Sequence, residues 1–370
     1  MKTFLLLISS LLTGGVLSAQ TYSGLKPGFD QVECDDLLHL NAAFVDTTPG
    51  NRFEGYHEGY TFLYRSPSVG LDNMWDLWLR SDSTVVILLR GTTSDPRSIL
   101  ADFYCAMLPA SGKIVLSPED TVHYHLADDK RACLHGGFLI GFAYLSKDIL
   151  PKLDSLYQLG YTNYLVSGHS QGGSLCYYVS AWLMHLKKSL TYPLLQVKTY
   201  ASAATKVGNM YFVYDYDNLS RAEWGFSIIN SADPVPEMPF TTQQVDVDMN
   251  EPNPILNLMK RFNDLPFVQR VAVKSAFKKM IKKSAGSSKT YRKYLGGYSA
   301  SFIKRFLPEL ELPEAYTSTY FMRPGVSISL LANDAYKEYY NGTSESYYDH
   351  SIKAYRFLLR QYYAGMESLE

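Results

Sequence analysis

The run Val166-Ser167-Gly168-His169-Ser170-Gln171-Gly172-Gly173 places a serine between glycines two residues to either side. A β-branched run precedes it and a helix-forming run follows. G-x-S-x-G in that setting is a sharp strand-to-helix turn that lifts the serine hydroxyl clear of the sheet end. Glycines are needed because side chains at those positions would collide in so tight a turn. The helix start directly behind the serine favours negative charge developing beside it. The chemistry this suits is nucleophilic attack. A serine hydroxyl does that only when a histidine removes its proton and a carboxylate holds the histidine.

In folds built around such a turn the acid and then the histidine follow the serine in the chain. Beyond Ser170 there are two histidines, His185 and His350. His185 falls on the helix after the turn, about four turns along and so roughly 20 Å from the serine. His350, in Tyr347-Tyr348-Asp349-His350-Ser351, is therefore the expected base. For the acid, the strand over 226–229 ends in Asn230-Ser231-Ala232-Asp233-Pro234-Val235-Pro236, which puts Asp233 at a strand end. Asp-Pro is also ordinary turn chemistry. Of the competing carboxylates, Asp215 and Asp217 precede that strand and Glu237 lies further along the loop, so Asp233 is the expected acid. An oxyanion would be held by the backbone N–H of Gln171 and by that of Thr92, which follows a strand over 84–89 in Arg90-Gly91-Thr92-Thr93. His135-Gly136-Gly137-Phe138 is a rival oxyanion loop. It precedes a helix instead of following that strand, and is read as a wall of the site.

The elements that must position these groups alternate. Strand-like runs occur at 84–90, 164–166, 197–200 and 226–229, with helical spacing at 139–150, 173–188, 208–215 and 351–360. This predicts an α/β fold with a mostly parallel central sheet flanked by helices. The stretch from about 250 to 315 differs. Between Glu251 and Leu310 it carries thirteen Lys or Arg against three acids, with apolar residues at helical spacing. It reads as a basic helical insertion, serving as a cap over the site, a face for anionic lipid headgroups, or a solvated excursion.

Of the 370 residues 46% are apolar, and the formal net charge is −1, which gives no general argument for a nucleic-acid partner. Met1-Lys2 followed by an apolar run and small residues up to Ala19 reads as a signal peptide, leaving residues 20–370 as one exported domain. The spacing of Cys34, Cys105, Cys133 and Cys176 matches no zinc site. Export permits disulfides, the pairing is left open, and Cys176 is expected as a buried thiol.

Together these segments resemble the class 3 lipase family, typified by fungal triacylglycerol lipases of the α/β-hydrolase superfamily. The matching pieces are Leu89-Arg90-Gly91-Thr92 with Ile99-Leu100-Ala101-Asp102-Phe103, then His135-Gly136-Gly137-Phe138, the serine turn, the Asp233 loop, and Asp349-His350 with Tyr355. The resemblance implies a Ser170–Asp233–His350 triad with oxyanion donors at Thr92 and Gln171. Two departures stand out, at the residue after the serine and in the connection from acid to histidine. The family usually has leucine where this chain has Gln171. Its lid follows the oxyanion strand, here about residues 95–103. Its connection between acid and histidine is much shorter. The expectation is an exported serine ester hydrolase, a lipase or carboxylesterase on glycerides or related lipids, needing no metal or organic cofactor. Its partners are a lipid or other ester substrate and an anionic membrane surface touched through residues 250–315. Alternatives are a phospholipase A-type or carbohydrate (feruloyl) esterase, a serine peptidase on the same scaffold, and a non-catalytic lipid-binding protein on a hydrolase scaffold.

Overall fold

The computed structural model of the chain describes residues 24–45, 58–340 and 347–363. The predicted signal peptide lies outside the described residues. Seven strands form the main sheet in sequence order: β1 (Tyr60–Arg65), β2 (Trp75–Arg80), β3 (Val85–Leu89), β4 (Asn163–His169), β5 (Gln196–Ser202), β6 (Gly225–Asn230) and β7 (Val326–Leu330). The first three pair antiparallel; β3 through β7 are parallel. The strands over 84–90, 164–166, 197–200 and 226–229 expected from the sequence are the four central ones.

Side-chain alternation along β3 divides the core. Val85, Ile87 and Leu89 face one apolar layer with Leu139, Phe142 and Leu175, while Val86 and Leu88 face a second with Leu37, Leu38, Tyr355 and Leu358. The first layer is covered by α3 (Gly136–Gln158) and α4 (Gln171–Lys188); the second by α1 (Gln31–Val45) and α10 (Ile352–Tyr362). A strand buried on both faces reads as a continuous apolar run, which is why β3 stood out in the sequence. The other helices are α2 (Pro96–Phe103), α5 (Met210–Ser220), α6 (Pro254–Arg261), α7 (Phe267–Tyr291), α8 (Ser299–Phe306) and α9 (Asp334–Tyr339).

One helix start matters for the site. The Ser351 hydroxyl accepts from the Ala354 N–H and caps α10, so His350 stands just outside that helix. Arg356 and Arg360 of α10 pair with the buried Asp35 of α1 at 2.9 Å, tying the helix that follows His350 to the body of the sheet. Between β6 and β7, α6 to α8 carry the basic residues, and α6 has no buried residue. An uninterrupted turn of wider winding, Arg292–Tyr298, joins α7 to α8. No helix of the described residues is long and apolar enough to cross a membrane.

Candidate active site

Ser170 sits between the end of β4 and the start of α4, with φ 61° and ψ −124°. That left-handed φ is costly for a serine and is held by packing on both sides. Its N–H is fixed to the Ser202 carbonyl at 3.0 Å. The flanking glycines are required. A Cβ on Gly168 would meet the Gly172 carbonyl carbon at 2.4 Å, and one on Gly172 would meet the Leu89 oxygen at 2.0 Å. The turn thus brings α4 directly against the end of β3, next to the Thr92 loop.

His350 Nε2 lies 2.8 Å from Ser170 Oγ, and its Nδ1 lies 2.7 Å from Asp233 Oδ2. A carboxylate can only accept, so Nδ1 carries the hydrogen and the Nε2 lone pair faces the serine hydroxyl. Asp233 follows β6 and its side chain is fully enclosed. Its Oδ2 also takes the Tyr355 hydroxyl at 2.8 Å, and its Oδ1 takes the Val235 N–H at 2.9 Å. Three donors therefore hold the carboxylate in one orientation. The three residues singled out from chain order form one hydrogen-bonded chain, with His350 partly open to solvent and Asp233 closed off.

Sequence reasoning passed over the groups that hold His350. His169, one residue before the serine, donates from Nε2 to the His350 carbonyl at 2.7 Å, and its Nδ1 lies 2.9 Å from Ser202 Oγ. Because a carbonyl only accepts, His169 carries its proton on Nε2. Burial, with the His350 ring beside it, pulls its pKa down to about 3, so it stays neutral. Asn230 Nδ2 donates to the Asp349 carbonyl at 2.9 Å, and the Tyr336 hydroxyl to Asp349 Oδ1 at 2.5 Å. The two contacts to main-chain carbonyls, from His169 and from Asn230, each span more than a hundred residues of chain. No local pattern announces them.

Thr92 and Gln171 meet on one carboxylate. Thr92 Oγ1 donates to Asp102 Oδ2 at 2.9 Å, and Gln171 Nε2 donates to Asp102 Oδ1 at 2.9 Å and to the Ser98 carbonyl at 3.0 Å. Gln171 opens α4, so its backbone N–H has no intrahelical acceptor and is free to face a developing anion. The glutamine side chain, the departure noted in the sequence, thus clamps α2 beside the site at two points one turn apart. From above, the Cys105 N–H donates to the Leu295 carbonyl at 2.9 Å and Ser299 Oγ to the Phe103 carbonyl at 3.3 Å. The basic segment between β6 and β7 therefore abuts α2.

Burial raises the Asp102 carboxyl to about pKa 6, despite hydrogen bonds from Gln171 and Thr92 that pull it down. The sign of the consequence is fixed. Between the ordinary carboxylate value of 3.8 and about 6 the folded chain keeps a proton that the unfolded chain releases. This group therefore favours folding below that window and weighs against it as pH rises through the window. Asp102→Asn is expected to flatten that part of the profile, so Tm of the variant relative to the parent should rise from pH 4 to pH 6. Differential scanning fluorimetry across the range checks it, and a constant offset would show Asp102 to be ionised throughout.

The His135-Gly-Gly-Phe138 run, expected as a wall, is enclosed. The His135 ring is fully buried, stacks on Phe138 at 4.1 Å and packs on Phe321. Its contribution is to the packing under the site. All four cysteines are buried free thiols, Cys176 among them as expected. His185 is far along α4 and pairs with Asp215 at 3.1 Å.

Residues 86–243 match the sequence profile of the class 3 lipases. This segment belongs to the class 3 lipase family. It contains the serine turn, Thr92, Asp102 and Asp233; His350 and the basic segment lie beyond the match. Among solved structures the chain is similar to the Rhizomucor miehei lipase in its propeptide complex, with 21% identity, TM-score 0.43, and coverage of 61% of this chain and 73% of that one. It is also similar to a lipase from Rhizopus microsporus var. chinensis, at 19% identity, TM-score 0.42 and coverage of 60% and 79%. A third is the Lip2 lipase of Yarrowia lipolytica, at 20% identity, TM-score 0.42 and coverage of 59% and 79%. No curated protein matches the sequence of the chain. As in the expectation from sequence, the class 3 lipase segment carries a mixed α/β architecture with a mostly parallel sheet between helices.

Proposed function

We propose that this protein is a serine carboxylic ester hydrolase that cleaves acyl esters of glycerides or related lipids through Ser170, His350 and Asp233. The observation that carries the reading is the continuous hydrogen-bonded chain from Ser170 Oγ through His350 to Asp233. In this mechanism His350 Nε2 takes the serine proton as Oγ attacks the ester carbonyl carbon. The tetrahedral oxyanion is held by the N–H groups of Gln171 and Thr92, with Asp102 fixing the Thr92 hydroxyl. His350 then protonates the departing alcohol, leaving an acyl-serine. Water, deprotonated by the same histidine, attacks the acyl-serine and releases the acid. Asp233 steadies the imidazolium in each half, and Tyr355 keeps Asp233 from turning away.

A lipid substrate is supported by apolar side chains left exposed on elements beside the site: Ile99 and Phe103 on α2, Met238 and Phe240 after Asp233, and Phe302 and Phe306 on α8. Exposed apolar surface next to a reactive group suits an acyl chain or a lipid interface. A phospholipase A-type preference has its own support. A groove of about 960 Å³ is bordered by Lys279, Lys282 and Lys283 with Phe240, Tyr291 and Leu295, which joins apolar wall to positive rim. In this reading the 250–315 insertion is a cap that meets anionic headgroups, residues 1–19 are a signal peptide for export, and residues 20–370 are one hydrolase domain.

The test is hydrolysis of p-nitrophenyl esters from acetyl to palmitoyl, with fluorophosphonate labelling of the same preparation. The expected result is ester turnover and covalent labelling, with glycerol and phosphoglycerol esters then ranking the headgroups. A chain inert to every ester and to the fluorophosphonate would favour a lipid-binding protein on a hydrolase scaffold.

A further inference from the structure

The structure assigns a divalent-metal site, suited to zinc, to His125, Asp128 and His185, at the end of α4 remote from Ser170. His125 closes the antiparallel hairpin formed by Ser111–Ser117 and Asp120–His125, Asp128 lies in the turn after it, and His185 is in the last turn of α4. One donor atom from each of the three side chains lies within 4.8 Å of the others. The Asp128 oxygen is 2.8 Å from the first nitrogen and 3.7 Å from the second.

Proton accounting shows what these atoms offer one another. The single Ser111 hydroxyl proton goes to the Ala127 carbonyl at 2.9 Å, which can only accept. Ser111 Oγ must then accept from His125 Nδ1 at 2.8 Å, which leaves the His125 Nε2 lone pair facing Asp128 Oδ1. His185 Nε2 lies 3.1 Å from Asp215 Oδ1, a carboxylate that also only accepts. Its Nδ1 lone pair therefore faces the same Asp128 oxygen. In neutral tautomers three lone pairs converge on one point and repel unless a cation stands between them. A proton would relieve one pair; a metal ion satisfies all three.

The surroundings are those of a held site. Asp215 accepts from His185 with one oxygen and from the Asp128 N–H with the other at 2.8 Å, so a single carboxylate orients two of the three ligands. Carboxylate and hydroxyl partners on the remote nitrogens of ligating histidines fix their tautomer in this way. Tetrahedral zinc with bonds of about 2.0–2.1 Å needs ligand atoms roughly 3.3 Å apart. The observed 2.8 and 3.7 Å bracket that spacing, and with all three donors within 4.8 Å of one another, side-chain turns bring them to it. Two imidazoles and a carboxylate are ligands that zinc accepts, with solvent free to fill the fourth position. His185 is buried, whereas about half of the His125 and Asp128 side chains is exposed, so an ion can enter. Lys188 pairs with the other oxygen of Asp128 and opposes a second positive charge. The metal would clamp the hairpin to α4 and α5, far from the reacting serine.

The experiment is titration of chelator-treated, dialysed protein with zinc chloride, followed by isothermal calorimetry and thermal melting. One zinc per chain and a higher Tm are expected for the parent, both lost in His125→Ala, a half-exposed position where truncation spares the core. Lys188→Ala should tighten binding by removing the competing charge. Zinc absorption spectroscopy should show nitrogen and oxygen neighbours without sulfur, separating this site from the four thiols. Absence of stoichiometric uptake, uptake that survives His125→Ala, or sulfur in the zinc shell would each overturn the assignment.

Discussion

Ser170→Ala is expected to lower kcat for p-nitrophenyl ester hydrolysis by about 10⁶-fold, the loss typical when the nucleophile of such a triad is removed. Nothing else near the serine can take its place. Its φ of 61° and the closeness of β3 to α4 present one hydroxyl to His350, and the neighbouring Ser202 is engaged by His169. Folding should be little changed, since alanine tolerates the turn about as well as serine. Fluorophosphonate labelling should vanish with activity, while the melting curve stays close to that of the parent. Retained labelling would point to another nucleophile and remove the foundation of the proposed mechanism.

Asp233→Asn should cost about 10⁴-fold in kcat with little change in KM, as loss of the orienting carboxylate does elsewhere. The physical cause is a tautomer. Asp233 Oδ2 accepts from both His350 Nδ1 and the Tyr355 hydroxyl, and Oδ1 accepts from the Val235 N–H. An amide in the same place has one accepting oxygen and one donating nitrogen. With Tyr355 and Val235 both still donating, its nitrogen is driven toward a donor on either side. Turned toward His350, it forces the ring proton onto Nε2, where the imidazole can no longer accept from Ser170. Steady-state kinetics with pre-formed folded protein checks this, and a loss confined to KM would argue that Asp233 positions substrate instead.

The Gln171 clamp bears on how the site opens. The family expectation places a lid over residues 95–103, yet here Gln171 holds the Ser98 carbonyl and the Asp102 carboxylate, and Leu295 and Ser299 hold the following turn from the other side. Opening α2 as a unit would strand these polar groups, which are costly to leave unpaired away from water. The stretch from α6 through α7 is more thinly buried: α6 has no buried residue and α7 buries Ser288 and Tyr291 near its end.

What could be read without coordinates was the part governed by short-range geometry. A tight turn needs Gly168 and Gly172 wherever it occurs, and a strand buried on both faces must be apolar throughout, so Ser170 and β3 were legible directly. Chain order then pointed to His350, because only two histidines follow the serine, and the end of the strand over 226–229 pointed to Asp233. The holding groups were not legible. Tyr355 meets Asp233, Gln171 meets Asp102, and His169 meets the His350 carbonyl only after the sheet has stacked its strands and α10 has docked on α1. The three donors at His125, Asp128 and His185 are likewise united by a hairpin packing against the end of a helix. Backbone turns and side-chain alternation act over a few residues and leave a signature in the sequence. Hydrogen bonds between distant segments depend on burial and on the direction of each side chain, and only the tertiary structure decides those.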